Sequence, residues 1–306
     1  MTGSGSFKQS VEYVRGKFTR MDCGIYDERG TSLSVIGLNR STTGVYVIPS
    51  AVTGVFLNRK AIAQSGVKVL SLENCSNLRK FEIQAPENPL SGDAIGELTI
   101  ILPKETCLLK SIGISLICNK FRLIGKCKGI DLSLCACREL EIDESVMENA
   151  SSLYFSACKG INSICLPYEH KLASMYLLNT DTEHISCHLI GNGLRVTNCF
   201  RLKFMSLMFD KLDLYEFSRY MRSRLYSLEE LHISVLKLFF PVVKRSAMRV
   251  IDLAYISGVL NRISFTAVDG FRAYDFASKK YKLIVPRKAE FTMSKELEPY
   301  FEVVRK

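Results

Sequence analysis

Four side chains in this sequence could together supply a nucleophile and a base. The segment HISCHL places Cys187 between His184 and His188, and Cys23 lies in the non-repetitive N-terminal part. A catalytic thiol needs a neighbouring base and a lowered pKa. Cys23 and Cys187 are therefore the candidate nucleophiles, and His184 and His188 are the candidate bases. The alternation in HISCHL is typical of a strand, which would spread these groups along one edge.

The same residue types do not form a known metal-binding motif. HExxH is absent, and Cys135 and Cys137 form CAC rather than the CxxC of zinc knuckles. Ligands strung along a strand do not converge on one ion, so we expect no metal site. We interpret Cys135 and Cys137 as core residues, and the carboxylates Glu141 and Asp143 of EIDES as part of a solvated strand face.

Cofactor motifs are also missing from the sequence. It contains no glycine-rich phosphate loop, Walker lysine pattern or dinucleotide fingerprint, so no cofactor is expected. We therefore favour binding over catalysis, while an enzyme with a cysteine nucleophile stays open as an alternative. The β-helical polysaccharide lyases and glycosidases are a further class, but they carry richer aromatic stacking surfaces, and here Trp is 0.

Composition indicates a folded chain. The chain has 306 residues, of which 47% are hydrophobic and 24% are charged, and this excludes a disordered or collagenous protein. Its longest apolar stretches, such as 111–118, are far shorter than the roughly 20 residues of a membrane helix. The start, MTGSGSFKQSVEYVRGKF, lacks an apolar secretory core, so the 11 cysteines are expected to be reduced thiols. A cytosolic location is expected, or delivery into a host cell without a classical signal peptide.

Positive charge is concentrated at the two ends of the chain. The formal net charge is +10, with +4 over residues 1–66, −1 over 67–210 and +7 over 211–306. A basic surface attracts nucleic acid or anionic membrane, although it also serves solubility. The candidate basic patch of the C-terminal third consists of Arg219, Arg222, Arg224, Lys244, Arg245, Lys279, Lys280, Lys282, Arg287 and Lys288.

A repeat dominates the middle of the sequence. From residue 67 onward, apolar pairs of the form L-x-L recur every 9 to 12 residues, as in Leu70/Leu72 and Leu153/Phe155. Period-two alternation predicts strands. Two such strands make a unit of about 20 to 23 residues in LSLENCSNLRKFEI, LYFSACKGINSICL and LRVTNCFRLKFMSL. Each unit carries one cysteine near a turn, where we expect a small thiol to pack inward. These cysteines are Cys75, Cys158 and Cys199.

These units resemble the leucine-rich repeats of bacterial surface and effector proteins. The resemblance rests on CSNLRKFEI, CKGINSICLP and CFRLKFMSL, and on VIPSAVTGV at 47–55 as the complementary half. It implies a scaffold that binds host proteins and contributes to virulence. The repeat length drifts and prolines are sparse. A two-sided parallel β-solenoid and a horseshoe with one sheet therefore both stay open.

The fold predicted from these patterns is mainly β, a parallel β-solenoid of leucine-rich-repeat type with short terminal helices and one inserted helix. The predicted parts are a polar leader and cap over 1–30, a solenoid over 31–214, an inserted helical segment over 215–249, and final repeats with a cap over 250–306. In the inserted segment, helical spacing puts Phe217, Tyr220 and Leu228 on one face. That helix either covers an irregular coil or projects to bind a partner.

Stacked coils would leave their outward strand positions free to contact another protein. We therefore predict a protein partner, bound by a monomer through an extended face of the solenoid. The outward positions chosen as partner-binding residues are Glu73, Arg79, Glu82, Tyr154, Ser156, Tyr176, Arg195 and Thr197.

Overall fold

The computed structural model describes residues 24–26, 32–34, 44–48, 52–58, 62–63, 66–84, 94–103, 108–126, 128–220, 225–240, 249–274 and 280–306. The protein is mainly β, and its parallel sheets form a β-solenoid of about nine turns with few short helices. This confirms the predicted fold class. The chain divides into two compact units, residues 1–158 and 159–306.

The first unit contains ten strands, one complete short helix and two further helical residues, 62–63, among its described residues. The strands and the complete helix are β1 Gly24–Tyr26, β2 Ser32–Ser34, β3 Val45–Val47, β4 Gly54–Asn58, β5 Val69–Ser71, β6 Lys80–Gln84, β7 Ile95–Ile101, β8 Ser111–Ile124, β9 Ile130–Ile142, α1 Glu144–Met147 and β10 Ala150–Ser156.

Parallel pairing organises this first unit. Strands β4, β6, β8, β9 and β10 follow one another in one ladder, and β3, β5 and β7 form another. Strand β1 differs, because it runs antiparallel to both β2 and β4. The coil-to-coil offset is 20 residues between Ser111 and Asp131 but 31 between Lys80 and Ser111. The predicted repeat length therefore holds for some coils, and others are longer.

The second unit contains ten strands and three short helical segments among its described residues. They are β11 Ser163–Cys165, β12 Lys171–Leu178, β13 His184–Thr197, β14 Phe204–Asp213, α2 Leu214–Tyr220, β15 Glu230–Phe239, β16 Val250–Asp252, α3 Leu253–Ile256, β17 Arg262–Tyr274, β18 Tyr281–Val285, β19 Glu290–Met293, a 3-10 turn at Glu298–Tyr300 and β20 Phe301–Arg305.

Parallel ladders lie on more than one side of the coils of this second unit. The principal ladder joins β11, β13, β14, β15, β17 and β19. A second ladder joins the C-terminal parts of β14, β15 and β17, and a third joins β16, β18 and β20. A horseshoe has a single sheet, so this arrangement decides in favour of the solenoid.

Stacked aliphatic rows form the core of each coil. In the principal ladder, Ile164, Ile185, Met205, Leu231 and Ile263 are register partners, and each is at most 1% exposed. Burying one such side chain stabilises the fold by about 1.5–3 kcal/mol. A single strand has only one apolar face to bury, so the stacking of coils provides the stability.

The three repeat cysteines occupy the inside corners of their coils. Cys75, Cys158 and Cys199 are each 0% exposed. Their sulfur atoms lie near a carbonyl oxygen of the preceding coil, at 3.4 Å from Ile48 and 3.3 Å from Leu134 for the first two. The structure therefore confirms that these cysteines pack inward near the turns as small, weakly polar core residues.

The inserted segment is helical over only part of its described residues. The described part of helix α2 is Leu214–Tyr220, residues 225–229 are not helical, and β15 occupies Glu230–Phe239 of the segment predicted to be helical. Phe217 is 2% exposed and meets the Phe209 ring edge-on at 6.1 Å between centroids. The described part of the helix thus covers the strands beneath it. Residues 1–23 of the predicted leader and cap lie outside the described residues.

Candidate recognition surface

The outward side chains of the principal ladder in the second unit form two straight rows, which we call the recognition face. Side chains alternate along each strand, so residues two apart share this face, and parallel register stacks them from coil to coil. The first row is Ser163, His184, Phe204, Glu230, Arg262 and Glu290. The second row is Cys165, Ser186, Ser206, His232, Ser264 and Thr292.

Aromatic and imidazole rings mark the centre of the recognition face. Phe204 is half-buried, and its ring centroid lies 6.2 Å from that of His184 and 5.3 Å from that of His232. These separations suit tilted ring contacts. The second row contributes mostly small hydroxyl residues, which leave the rings accessible beside them. The centre of the face is thus a shallow apolar patch.

Charged side chains flank this aromatic centre. Arg262 lies 3.4 Å from a Glu230 oxygen and 3.5 Å from a Glu290 oxygen. Glu183 pairs with Arg201, and Lys203 Nζ donates to its Oε2 at 3.2 Å. The hydrogen bond from Lys203 and the nearby Arg201 charge lower the pKa of the Glu183 carboxyl, although burial opposes them. Both signs of charge therefore border the patch.

A hydroxyl, an imidazole and a carboxylate meet on this face. His232 Nδ1 lies 2.7 Å from Ser264 Oγ, and His232 Nε2 lies 3.2 Å from Glu230 Oε2. A carboxylate that contacts an imidazole, which in turn contacts a hydroxyl, is an arrangement that suits general-base activation of the hydroxyl. Strands β15 and β17, however, are each paired on both sides, so their backbone N–H groups serve the ladders rather than an oxyanion. We interpret the trio as an ordered hydrogen-bonding group.

A second polar network lies near one border of the face. His188 is 3% exposed, with Nδ1 at 2.9 Å from the Tyr168 carbonyl oxygen and Nε2 at 2.8 Å from Asp210 Oδ1. Lys171 Nζ donates to Asp210 Oδ2 at 2.8 Å. Burial by itself raises the pKa of Asp210, but hydrogen bonds from Lys171 and His188 outweigh it, and the net shift is downward. The carboxylate therefore stays ionised between two donors.

The geometry argues against the predicted catalytic group. Cys187 is 5% exposed, and burial raises the pKa of its thiol to about 12. A nucleophilic cysteine needs the opposite shift, because the thiolate is the reactive form. His184 is exposed on the recognition face, while His188 is buried and bonded to Asp210. Cys23 lies outside the described residues.

The carboxylates Glu141 and Asp143 contact other residues of the protein, and the described residues form no metal site. In the part of the chain that the structure describes, no group of three or more His, Cys, Asp and Glu residues could hold a metal ion. Glu141 pairs with Arg122 and with Lys120 at 3.2 Å. Asp143 Oδ2 accepts the Gly125 N–H at 2.9 Å. These carboxylates join neighbouring coils at the surface.

The structure places the predicted partner-binding residues in several separate settings. Tyr176 and Arg195 are register partners in β12 and β13, and Thr197 follows on the same side of β13. Tyr154 and Ser156 lie half-buried along β10 in the first unit. None of these five belongs to the two rows of the recognition face.

The other three predicted partner-binding residues lie near β5 and β6. Glu73 and Arg79 sit outside strands, and Glu82 in β6 pairs with Lys80 at 2.8 Å. The prediction thus chose outward-facing positions, because all eight residues are exposed or half-buried. The sequence did not predict the rows of the recognition face. Their register depends on the length of each coil, and the structure was needed to show these lengths.

The predicted basic patch is only partly described. Arg219 pairs with Glu216 at 3.1 Å, and Lys280 Nζ donates to the Glu298 carbonyl oxygen at 3.2 Å. Lys282, Arg287 and Lys288 are exposed. Arg222, Arg224, Lys244, Arg245 and Lys279 lie outside the described residues.

Among the described residues, no helix combines the length and the apolar character that are needed to cross a bilayer. Comparison of the chain with protein-family models, with curated proteins and with solved structures found no match.

Proposed function

We propose that this protein is a non-enzymatic scaffold that binds another protein through the recognition face of its second unit. The observation that supports the proposal is the six-strand register that holds two outward rows in fixed positions. A face built on paired strands loses little conformational entropy when it binds.

The pattern of side chains on the face suits protein recognition. Phe204 lies at the centre between two imidazoles, and the charged pair Arg262 and Glu230 lies beside them. Binding energy in protein interfaces concentrates at central aromatic and arginine residues with a polar rim. The partner that fits is a protein surface with an apolar projection and charges of both signs around it.

The resemblance of the sequence to bacterial leucine-rich repeats adds a biological setting to the proposal. In that setting the protein is an effector delivered into a host cell, and its partner is a host protein. Its buried thiols suit a reducing cytosol, because none of them needs to be oxidised for the coils to pack.

Affinity capture from a host-cell lysate tests this proposal. The wild-type protein and the Phe204→Ala variant are immobilised separately, and the proteins that each recovers are identified by mass spectrometry. Phe200→Ala is the matched control, since Phe200 is 56% exposed and lies outside the recognition face. We expect a protein recovered by the wild type and by the control but reduced about tenfold or more with Phe204→Ala. Equal recovery by all three would refute the assignment of this face.

A further inference from the structure

A row of positive charges runs across the second ladder of the second unit. Lys211 is the register partner of Lys237, and Lys237 is the register partner of Arg272. Leu212 and Leu238, next along their strands, are each 1% exposed and point inward. The cations therefore share the outward side, about 4.8 Å apart from strand to strand. We call these three residues the cation ladder.

Nearby carboxylates do not neutralise the cation ladder. Asp210 is taken by Lys171 and His188, and Asp213 accepts the N–H groups at the start of α2. Across the described part of the second unit, no acidic side chain forms an ion pair with Lys211, Lys237 or Arg272. Like charges opposite one another on neighbouring strands destabilise a sheet. A bound anion would relieve this repulsion.

Aromatic rings lie directly beside the cation ladder. Phe239 and Tyr274 follow two residues after Lys237 and Arg272, so they lie on the same side of the sheet about 6.6 Å farther along. Their rings stack at 4.9 Å between centroids with an interplanar angle of 10°, and both residues are half-buried. Cations next to accessible aromatic rings are the combination that binds single-stranded nucleic acid, where phosphates meet charge and bases meet rings.

We propose that the cation ladder and the Phe239–Tyr274 pair form a binding site for single-stranded nucleic acid. The strand lies across β14, β15 and β17, with successive phosphates on Lys211, Lys237 and Arg272. This site is separate from the recognition face and does not depend on the proposed scaffold function. It also differs from the basic patch predicted from the sequence, with which it shares no residue.

Fluorescence anisotropy with a labelled thymine oligonucleotide tests the site at several salt concentrations. The ladder variant replaces Lys211, Lys237 and Arg272 by Gln. The matched control replaces Lys282, Arg287 and Lys288 by Gln, which removes the same charge from exposed residues of the same unit. We expect the ladder variant to bind with a slope of log affinity against log salt that is about 2 smaller than that of the wild type, and the control to change far less.

A second pair of measurements separates base stacking from charge alone. Tyr274→Ala should weaken oligonucleotide binding about fivefold or more, because base–aromatic stacking is lost. A duplex of the same length should bind more weakly than the single strand. Thermal unfolding of the ladder variant should occur at the wild-type temperature or above it, since like charges are removed.

Several outcomes would overturn the proposal. They are the absence of oligonucleotide binding at low salt, equal losses in the ladder and control variants, equal affinity for duplex and single strand, and tighter binding of polyglutamate than of the oligonucleotide. The last of these would assign the cation ladder to an acidic protein instead.

Discussion

Ala136 and Ala157 have left-handed backbone, with φ of 62° and 53°, and each directly precedes a buried cysteine. Asn198 has the same conformation, with φ of 55°, before Cys199. Asparagine tolerates this region, whereas alanine is strained there by its Cβ. The left-handed corner is therefore kept even where the residue type opposes it.

Replacing Ala157 by glycine should stabilise the protein. Ala157 is exposed, so the change removes backbone strain without loss of packing. We expect a gain of about 0.5–1 kcal/mol in the free energy of unfolding, after allowance for the greater freedom of glycine in the unfolded chain. Ala173→Gly is the control, because Ala173 is also exposed but is not left-handed. Urea denaturation should show that this control lowers the stability, and a lower stability of Ala157→Gly would contradict the strain argument.

The Asp210 network should make the stability depend on acid pH. The folded pKa of Asp210 is lowered, so its contribution is fully present above the unfolded value of about 3.9 and is lost as the pH falls through the folded pKa. Asp210→Asn should cost about 2 kcal/mol at neutral pH, since charge-assisted hydrogen bonds to Lys171 and His188 are weakened.

Urea unfolding at several pH values should therefore show wild type and Asp210→Asn converging below about pH 4. Glu302→Gln is a suitable control, because Glu302 is exposed on β20. A difference between wild type and Asp210→Asn that stays constant from neutral to acid pH would rule out the ionised carboxylate as its source.

At the scale of the element, close contacts between neighbouring strands set the register. Gly193 in β13 lies against a register shift between Leu172 and Ser174 of β12. A Cβ added at Gly193 would lie 2.4 Å from the Ala173 carbonyl oxygen and 2.8 Å from Ser174 Cα. Because both neighbours are backbone atoms, neither can move without shifting a strand.

Gly193→Ala should therefore destabilise the protein by about 1–3 kcal/mol. Gly191→Ala is a close control, since a Cβ there meets nothing within 4 Å, and it should stay within about 0.5 kcal/mol of wild type. Chemical denaturation of the wild type and the two variants measures these differences in the free energy of unfolding. Equal stability of both variants would mean that β12 can move away from β13.

At the scale of the whole molecule, packing determines the reactivity of the thiols. Burial raises the pKa of Cys75 and Cys118 to about 11 and that of Cys187 to about 12. Cys165 is exposed on β11. The solenoid thus hides most of its described cysteines in the interior of the coils and leaves one on the recognition face.

Alkylation of the native protein by iodoacetamide should follow this division. Cys165 should react fastest among the described cysteines, and Cys75, Cys118 and Cys187 should react only after denaturation, because buried and protonated thiols are poor nucleophiles. Peptide mass spectrometry at several times of reaction measures each site. Reaction of native Cys187 as fast as that of Cys165 would contradict the packing and would revive the cysteine enzyme as an alternative.

Local alternation was sufficient to place the strands. The apolar pair Leu153/Phe155 lies in β10, as predicted, and the repeat cysteines pack inward. The segment predicted to be helical over 215–249 was less predictable, since β15 occupies Glu230–Phe239 within it. Strand positions depend on residues two apart, and such short-range patterns are visible in a sequence.

The surfaces, by contrast, required the tertiary structure. His232 meets Ser264 across an offset of 32 residues, and Lys237 meets Arg272 across 35, although Lys171 meets His188 across only 17. Loops of unequal length separate these strands. The sequence does not show how many residues each loop spans before the chain pairs with the next coil. The amino-acid order thus determined which side chains face outward, and the stacking of coils decided which of them became neighbours.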